Sequence, residues 1–341
     1  MTIEKIFIIA EAGVNHNGSM DTALRMIDAA ADAGADAIKF QTFKAEELVS
    51  STARKADYQI LNAPNGDESQ LAMLQKLELT YSEYEQLIAR CQVRNIKFFS
   101  TAFDLDSLEF LSEVGLPVVK IPSGEITNLP FLLKAAELFR RVYLSTGMST
   151  IEEIGEALKV FTDAGIDKKD ITILHCNTEY PTPMEDVNLR AMLHLQQVFG
   201  TRIGYSDHTR GIEVPIAAVA LGAAVIEKHF TLDRTMAGPD HKASLEPQEL
   251  KAMIAAIRNI EKALSGSGIK EVTPSEEKNK ASARTSIVAK TTIKKGTPLT
   301  EENLTAKRPG TGMSPMKWNS VIGKTASKDY KRDEMIDEKI E

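Results

Sequence analysis

Two imidazoles occupy matching places in this sequence. His208 follows Gly204-Tyr205-Ser206-Asp207, and His229 follows Ile226-Glu227-Lys228. Each stands at the end of a short run that reads as a β-strand. Side chains alternate between the faces of a strand, so Ser206 shares a face with His208, and Glu227 with His229. Neighbouring strands lie roughly 4.8 Å apart, which lets both imidazoles share one divalent ion. Two protein ligands leave coordination positions for water and substrate, as a catalytic Lewis acid requires. Hydrogen-bonded core or loop histidines would produce the same spacing, so the residues alone leave both readings open. His16, His175, His194 and His241 have no such partner and read as ordinary structural histidines.

Two ammonium groups interrupt otherwise apolar runs: Lys39 in Ile38-Lys39-Phe40-Gln41-Thr42, and Lys120 in Val119-Lys120-Ile121-Pro122-Ser123-Gly124-Glu125. Lys39 and Gln41 share a face. Burying cations without anions costs several kcal/mol, so a ligand carrying phosphate and carboxylate, or internal glutamates, must compensate them. Ser123 and Ser145 close consecutive runs, where their hydroxyls and adjacent backbone N–H groups could complete a phosphate cradle. Glu11 and Glu125 also stand at strand ends. Either could position water or carry a proton, and either could instead be a structural partner for a lysine.

These residues need a scaffold that gathers strand ends. Eight strand-like runs are predicted: Phe7 to Glu11, Ala37 to Thr42, Lys97 to Thr101, Val118 to Ile121, Val142 to Ser145, Thr172 to Cys176, Arg202 to Ser206 and Val225 to Phe230. Segments of helical periodicity fill the intervals: Ser19 to Ala33, Tyr81 to Val93, Leu105 to Val114, Leu129 to Phe139, Ile151 to Ala164, Glu185 to Val198, Val214 to Ala220 and Pro247 to Leu264. Eight strand–helix repeats favour an α/β fold closed as a (β/α)8 TIM barrel, whose chemistry lies at the C-terminal strand ends. The competitor, a doubly wound nucleotide-binding sheet, would want GxGxxG after its first strand; Glu11-Ala12-Gly13-Val14-Asn15-His16-Asn17-Gly18 is not that motif.

The connection from Lys44 to Thr80 is long, holds Pro64-Asn65-Gly66-Asp67, and reads as a lid or peripheral excursion. Composition changes again at Ser265-Gly266-Ser267-Gly268 and the charged run Glu276-Glu277-Lys278-Asn279-Lys280. The expected organisation is a catalytic barrel over 1–265, a linker over 266–283 and a small β-rich domain over 284–341.

With 341 residues and 43% apolar content, the chain has ample material for a large core. A net charge of −7 supplies no broad basic field, so nucleic acid is not an expected partner. Cys91 and Cys176 form no CxxC pair, and no leader or membrane-length apolar stretch is seen, so a cytoplasmic location is expected.

Taken together, the chain resembles the bacterial sialic acid synthase family along essentially its whole length. The resemblance is carried by Ala10-Glu11-Ala12-Gly13-Val14-Asn15-His16-Asn17-Gly18, Lys39-Phe40-Gln41-Thr42-Phe43-Lys44, Lys120-Ile121-Pro122-Ser123-Gly124-Glu125 and Leu144-Ser145-Thr146-Gly147-Met148. It continues through His175-Cys176-Asn177-Thr178-Glu179-Tyr180-Pro181-Thr182-Pro183, Ser206-Asp207-His208-Thr209, Glu227-Lys228-His229-Phe230-Thr231 and Gly238-Pro239-Asp240-His241. The C-terminal segment resembles the family's antifreeze-like (SAF) domain through Ile293-Lys294-Lys295-Gly296 and Lys307-Arg308-Pro309-Gly310-Thr311-Gly312.

The resemblance implies that His208 and His229 bind a divalent metal, manganese or else magnesium or cobalt. It assigns Lys39, Thr101, Lys120, Ser123, Ser145 and Thr178 to phosphoenolpyruvate, although some relatives carry Asn where Thr178 stands. It assigns Gln41, Tyr180, Glu227 and Asp240 to the sugar, Glu11 and Glu125 to the catalytic centre, and Arg308 to the N-acetyl group in a partner's barrel, within a domain-swapped homodimer. The implied reaction condenses phosphoenolpyruvate with N-acetylmannosamine and water to give N-acetylneuraminate and phosphate, with C–O cleavage. An N,N'-diacetyllegionaminate or pseudaminate synthase, acting on a 2,4-diacetamido-6-deoxy sugar, shares the motifs. Other classes are a Schiff-base aldolase using Lys39, Lys120 or Lys228, and a carbohydrate-binding protein without catalysis.

Overall fold

A computed structural model describes residues 5–55, 59–60 and 69–337. Eight parallel strands close into a barrel in the order β1 to β8. They are β1 (Phe7–Gly13), β2 (Ala37–Thr42), β3 (Lys97–Ala102), β4 (Val119–Ile121), β5 (Val142–Ser145), β6 (Ile171–His175), β7 (Arg202–Asp207) and β8 (Val225–His229). The barrel helices are α1 (Met20–Ala33), α2 (Tyr81–Val93), α3 (Leu105–Glu113), α4 (Leu129–Leu138), α5 (Ile151–Asp163), α6 (Ala191–Phe199), α7 (Glu213–Ala220) and α8 (Pro247–Leu264).

Local chemistry sets these boundaries. Ser19 caps α1 by accepting from the Thr22 amide, and Gly34 ends it with φ of 88°, a conformation that suits glycine. Ala23, Met26, Ile27, Ala30 and Ala33 are buried at helical spacing. Thr150 and Glu153 form a reciprocal capping box at the start of α5. The apolar faces of strands and helices merge in one core that includes Ile8, Ile38, Leu144, Ile173, Ile226 and Ile257.

One predicted helix is corrected. The segment expected to be helical from Glu185 contains a single 3-10 turn, Met184–Asp186, and α6 begins at Ala191. Asn188, with φ of 42°, breaks the helical path. In the long β2–α2 connection, Ala45–Leu48 and Gln70–Gln75 form short helices, while the Pro64 to Asp67 turn lies outside the described residues.

The chain divides into two compact units, Met1–Gly266 and Ser267–Glu341. Part of the expected linker is ordered as α9 (Pro274–Ala283), because Thr273 and Glu276 make a capping box and Pro274 occupies the first turn. The second unit pairs β9 (Ser286–Ala289) antiparallel with β10 (Leu304–Lys307). Its own core includes Ile287, Leu299, Leu304, Met313 and Tyr330. Among the described residues no helix is long and apolar enough to cross a membrane.

Gly204 shows how tightly the barrel closes. A Cβ placed there would meet the Val225 carbonyl oxygen at 2.5 Å and Leu174 Cδ2 at 2.6 Å. Backbone on one side and packed core on the other cannot both retreat. Gly204→Ala should therefore destabilise the protein by about 1–3 kcal/mol, read as a lowered urea midpoint; an unchanged midpoint would contradict this packing.

Candidate active site

The parallel register brings polar side chains from most strands to the C-terminal mouth. Glu11 pairs in register with Lys39 on one side and His229 on the other. Gln41 aligns with Thr101, Thr101 with Lys120, and Ser206 with Glu227. These residues line a cavity of about 440 Å³, together with Ser123, Ser145, Thr178, Tyr180, His208 and His229. A larger cavity, about 570 Å³, opens at the opposite strand ends beside Phe7, Phe98, Phe99 and Tyr143. It contains none of the buried ion pairs at the C-terminal mouth, so size does not locate the chemistry.

Two lysines and two glutamates form the floor of the site. Lys39 Nζ lies 2.9 Å from Glu11 Oε2 and 3.4 Å from Glu227 Oε2, and it donates to Thr101 Oγ1 at 2.7 Å. Lys120 Nζ donates to Glu227 Oε1 at 3.2 Å, and Ser206 Oγ donates to the same oxygen at 2.7 Å. All four charged groups are buried. The internal-glutamate alternative is therefore realised, and the lysines still face the cavity.

Burial and neighbours push these groups apart. Burial lifts the Glu11 carboxyl to about 7, against the pull of Lys39. Burial also works against ionised Glu227, but Lys120 and Lys39 outweigh it and hold that carboxyl well below the usual range. Lys39 is disfavoured by burial yet raised overall by Glu11 and Glu227. Lys120 is lowered, chiefly by burial.

The two imidazoles meet at the rim with ring centroids 5.1 Å apart. Tyr180 stacks on His208 at 4.1 Å and presents an edge to His229 at 5.4 Å. Burial lowers His208 to about 4 and holds His229 well below the ordinary histidine value, so both rings are neutral near pH 7. His208 Nδ1 makes a close contact with the Asn177 carbonyl; as its donor, Nδ1 leaves Nε2 with a free lone pair. His229 Nδ1 is buried without a hydrogen-bond partner, 3.9 Å from Asp240 Oδ2. Neutral, lone-pair-bearing imidazoles suit a divalent ion. No group of three or more His, Cys, Asp or Glu that could hold a metal occurs among the described residues.

The far wall suits an anion. Ser145 Oγ is buried without a protein partner, while Ser123 Oγ accepts from the Gly147 amide at 2.9 Å. A Cβ at Gly147 would lie 2.6 Å from Thr178 Cγ2, so only glycine permits this close approach.

Other residues considered from the sequence lie outside the lining of this cavity. Glu125 is not among the cavity-lining residues; its carboxylate accepts from Asn128 Nδ2 at 2.6 Å, at the start of α4. Asp240 is buried beside His229, and its Oδ2 converges with Glu11 Oε1 and Gln41 Nε2 over Gly13. Arg308 is exposed on the second unit. Lys228 points away from the cavity and pairs with Asp207 at 2.6 Å, both fully buried, which removes it as a lumen nucleophile. His175 and His241 are hydrogen-bonded to the Val187 carbonyl and Thr231 Oγ1 respectively.

Phe103, Met148, Cys176, Glu179 and Ser206 line the cavity without having been singled out as site residues. The shared parity of Ser206 and His208 carried a usable signal. Met148 reaches the rim with φ of 60° and 73% exposure, which no periodicity reveals.

Residues 26–270 match the NeuB family model and residues 284–339 match the SAF domain. The chain is 55% identical to N,N'-diacetyllegionaminic acid synthase of Campylobacter jejuni, over 98% of this chain and 100% of that protein. It is 44% identical to the Legionella pneumophila protein of the same name, over 94% and 90% of the respective chains. The crystal structure of N-acetylneuraminic acid (sialic acid) synthetase from Leptospira borgpetersenii, in complex with citrate, superposes with a TM-score of 0.70 at 39% identity, covering 81% of this chain and 90% of that one. A barrel mouth of paired imidazoles and buried lysines, a C-terminal SAF domain and whole-length identity to named synthases lead to one assignment: the chain is an enzyme of the NeuB family.

Proposed function

We propose that this enzyme condenses phosphoenolpyruvate with the open-chain form of a 2,4-diacetamido-6-deoxy sugar, giving an N,N'-diacetyllegionaminate-type product and phosphate. The observation that carries the condensation is the convergence of Lys39, Lys120, Ser145 and both imidazoles on one cavity. The choice of sugar is supported by the whole-length identity to the Campylobacter enzyme. N-acetylmannosamine is the second reading, favoured by the name of the Leptospira structure.

Lys39 and Lys120 would hold the phosphate and carboxylate of phosphoenolpyruvate, with Ser123, Ser145, Thr101 and Thr178 completing the hydrogen bonds. Glu227 already balances both lysines, so a bound anion shares their charge rather than meeting bare cations. Gln41, Tyr180, Glu227 and Asp240 would orient the sugar. When bound at His208 and His229, a divalent ion such as manganese would supply Lewis acidity toward the aldehyde oxygen.

The C2=C3 π pair of phosphoenolpyruvate forms the new bond from C3 to the aldehyde carbon, the carbonyl π pair moves onto the aldehyde oxygen, which gains a proton, and C2 is left electron-poor. Water adds to the former C2, and the C2–O bond to phosphate then breaks, with the electron pair leaving on phosphate. Glu11 would take the water proton or return it to the departing oxygen, a role supported by its position in the site floor and by a carboxyl titrating near neutrality. Orientation and fixed charge supply most of the rate enhancement.

Parallel assays of phosphate release with the two sugars test the reading directly. A higher kcat/KM for the diacetamido-6-deoxy sugar is expected; phosphate release with neither sugar would overturn the condensation. His208→Ala and His229→Ala should each lower turnover by about 100-fold or more while circular dichroism stays native, and full activity in both would remove the metal role.

Glu11 adds a pH signature. Its folded pKa of about 7 exceeds the ordinary value of 4.5, so protonation favours the folded state. That contribution is complete below about pH 4.5 and is lost as pH rises through about 7. The stability of the parent relative to Glu11→Gln should therefore fall across this window in denaturant titrations. A flat difference would refute the raised carboxyl.

A further inference from the structure

The strand segments bearing the two imidazoles are tied together from behind. Asp207 and Lys228 are register partners on β7 and β8. They alternate with the inward residues Ser206, His208, Glu227 and His229, so their side chains enter the layer between barrel and helices. The pair closes at 2.6 Å with both side chains fully buried. Lys228 Nζ also makes a close contact with the Thr209 carbonyl oxygen. The Asp207 carboxylate accepts from the Thr209 amide at 2.9 Å and its hydroxyl at 3.2 Å.

His208 is thus bracketed by two residues that Lys228 holds, and His229 directly follows Lys228. A fully buried ion pair contributes little net stability compared with apolar residues of similar size. Its energetic justification lies in geometry, because charged hydrogen bonds of this kind admit few alternative arrangements. We propose that Asp207 and Lys228 are positioning residues, a cross-strand clamp that sets the separation and orientation of the His208 and His229 imidazoles for a divalent cation. This inference rests on the metal reading given above and deepens it: the ion's affinity would be written partly on the outer face of the barrel.

The test is a titration of metal-stripped, full-length protein with Mn2+, followed by electron paramagnetic resonance of the free ion. The variant is Asp207→Asn combined with Lys228→Met, which removes the side-chain tie while leaving the backbone pairing of β7 with β8, keeps the local Asp207–Thr209 turn and leaves no buried charge unpaired. Thermal unfolding should stay within a few degrees of the parent, while Mn2+ affinity falls about 10–100-fold. Such a dissociation of stability from affinity is what a purely structural role would not produce. Parent-like affinity in the folded variant would overturn the clamp. If that variant does not fold, Asp207→Asn with Lys228→Gln, which keeps polar groups in the layer, decides by the same criterion. Parent protein that fails to bind Mn2+, or that binds it as well after His208→Ala, would overturn the metal reading itself and the clamp with it.

Discussion

Buried charge is the constraint around which this barrel mouth is organised. Lys39 is shared between Glu11 and Glu227, while Lys120 reaches the other oxygen of Glu227. Taking four ionised groups out of water would be prohibitive if each stood alone, so each must be held within reach of an opposite partner. Only strands in strict register can do that, and β1, β2, β4 and β8 supply one member each. Glu11, carrying less of the cationic pull than Glu227, is the member that titrates near neutrality. The site therefore combines fixed positive charge for an anion with carboxyls that burial lifts to about 7, Glu11 in the floor and Asp240 beside His229.

Around this floor, the walls differ in what they offer. The β5 side presents the unsatisfied Ser145 hydroxyl and the glycine-permitted approach at Gly147. The β7–β8 side presents neutral imidazoles beneath a tyrosine ring. A ligand with an anionic end and a carbonyl end would meet complementary groups at both, and the barrel's curvature brings them to one cavity.

Much of this was legible in the residues themselves. The strands were found because parallel barrel strands are short, β-branched and buried on both faces, and Lys39 and Lys120 stood out because charge inside such runs demands an explanation. The family resemblance added Thr101, Thr178 and Tyr180 to the cavity wall, residues with no distinctive spacing of their own. What sequence reasoning could not settle was partner choice. Glu125 and Glu11 both sit at strand ends, yet a 3-10 turn directs Glu125 to Asn128 while Glu11 enters the lumen. Parity with Glu227 and His229 already sets Lys228, a Schiff-base candidate, on the opposite face, but its partner Asp207 emerges only from the pairing of β7 with β8. The break before α6 escaped notice because a left-handed asparagine leaves the apolar periodicity of its neighbours intact.

Strand parity has a consequence for how such a protein can change over evolutionary time. Inside β8, lumen and outer-layer groups occupy consecutive positions, Glu227, Lys228 and His229. Gain or loss of one residue there would turn the imidazole into the helix layer and swing the ammonium of Lys228 into the lumen, inverting every role at once. Along β8 the charge balance therefore tolerates replacement of a residue but not a change in length, whereas the connecting loops carry no such parity.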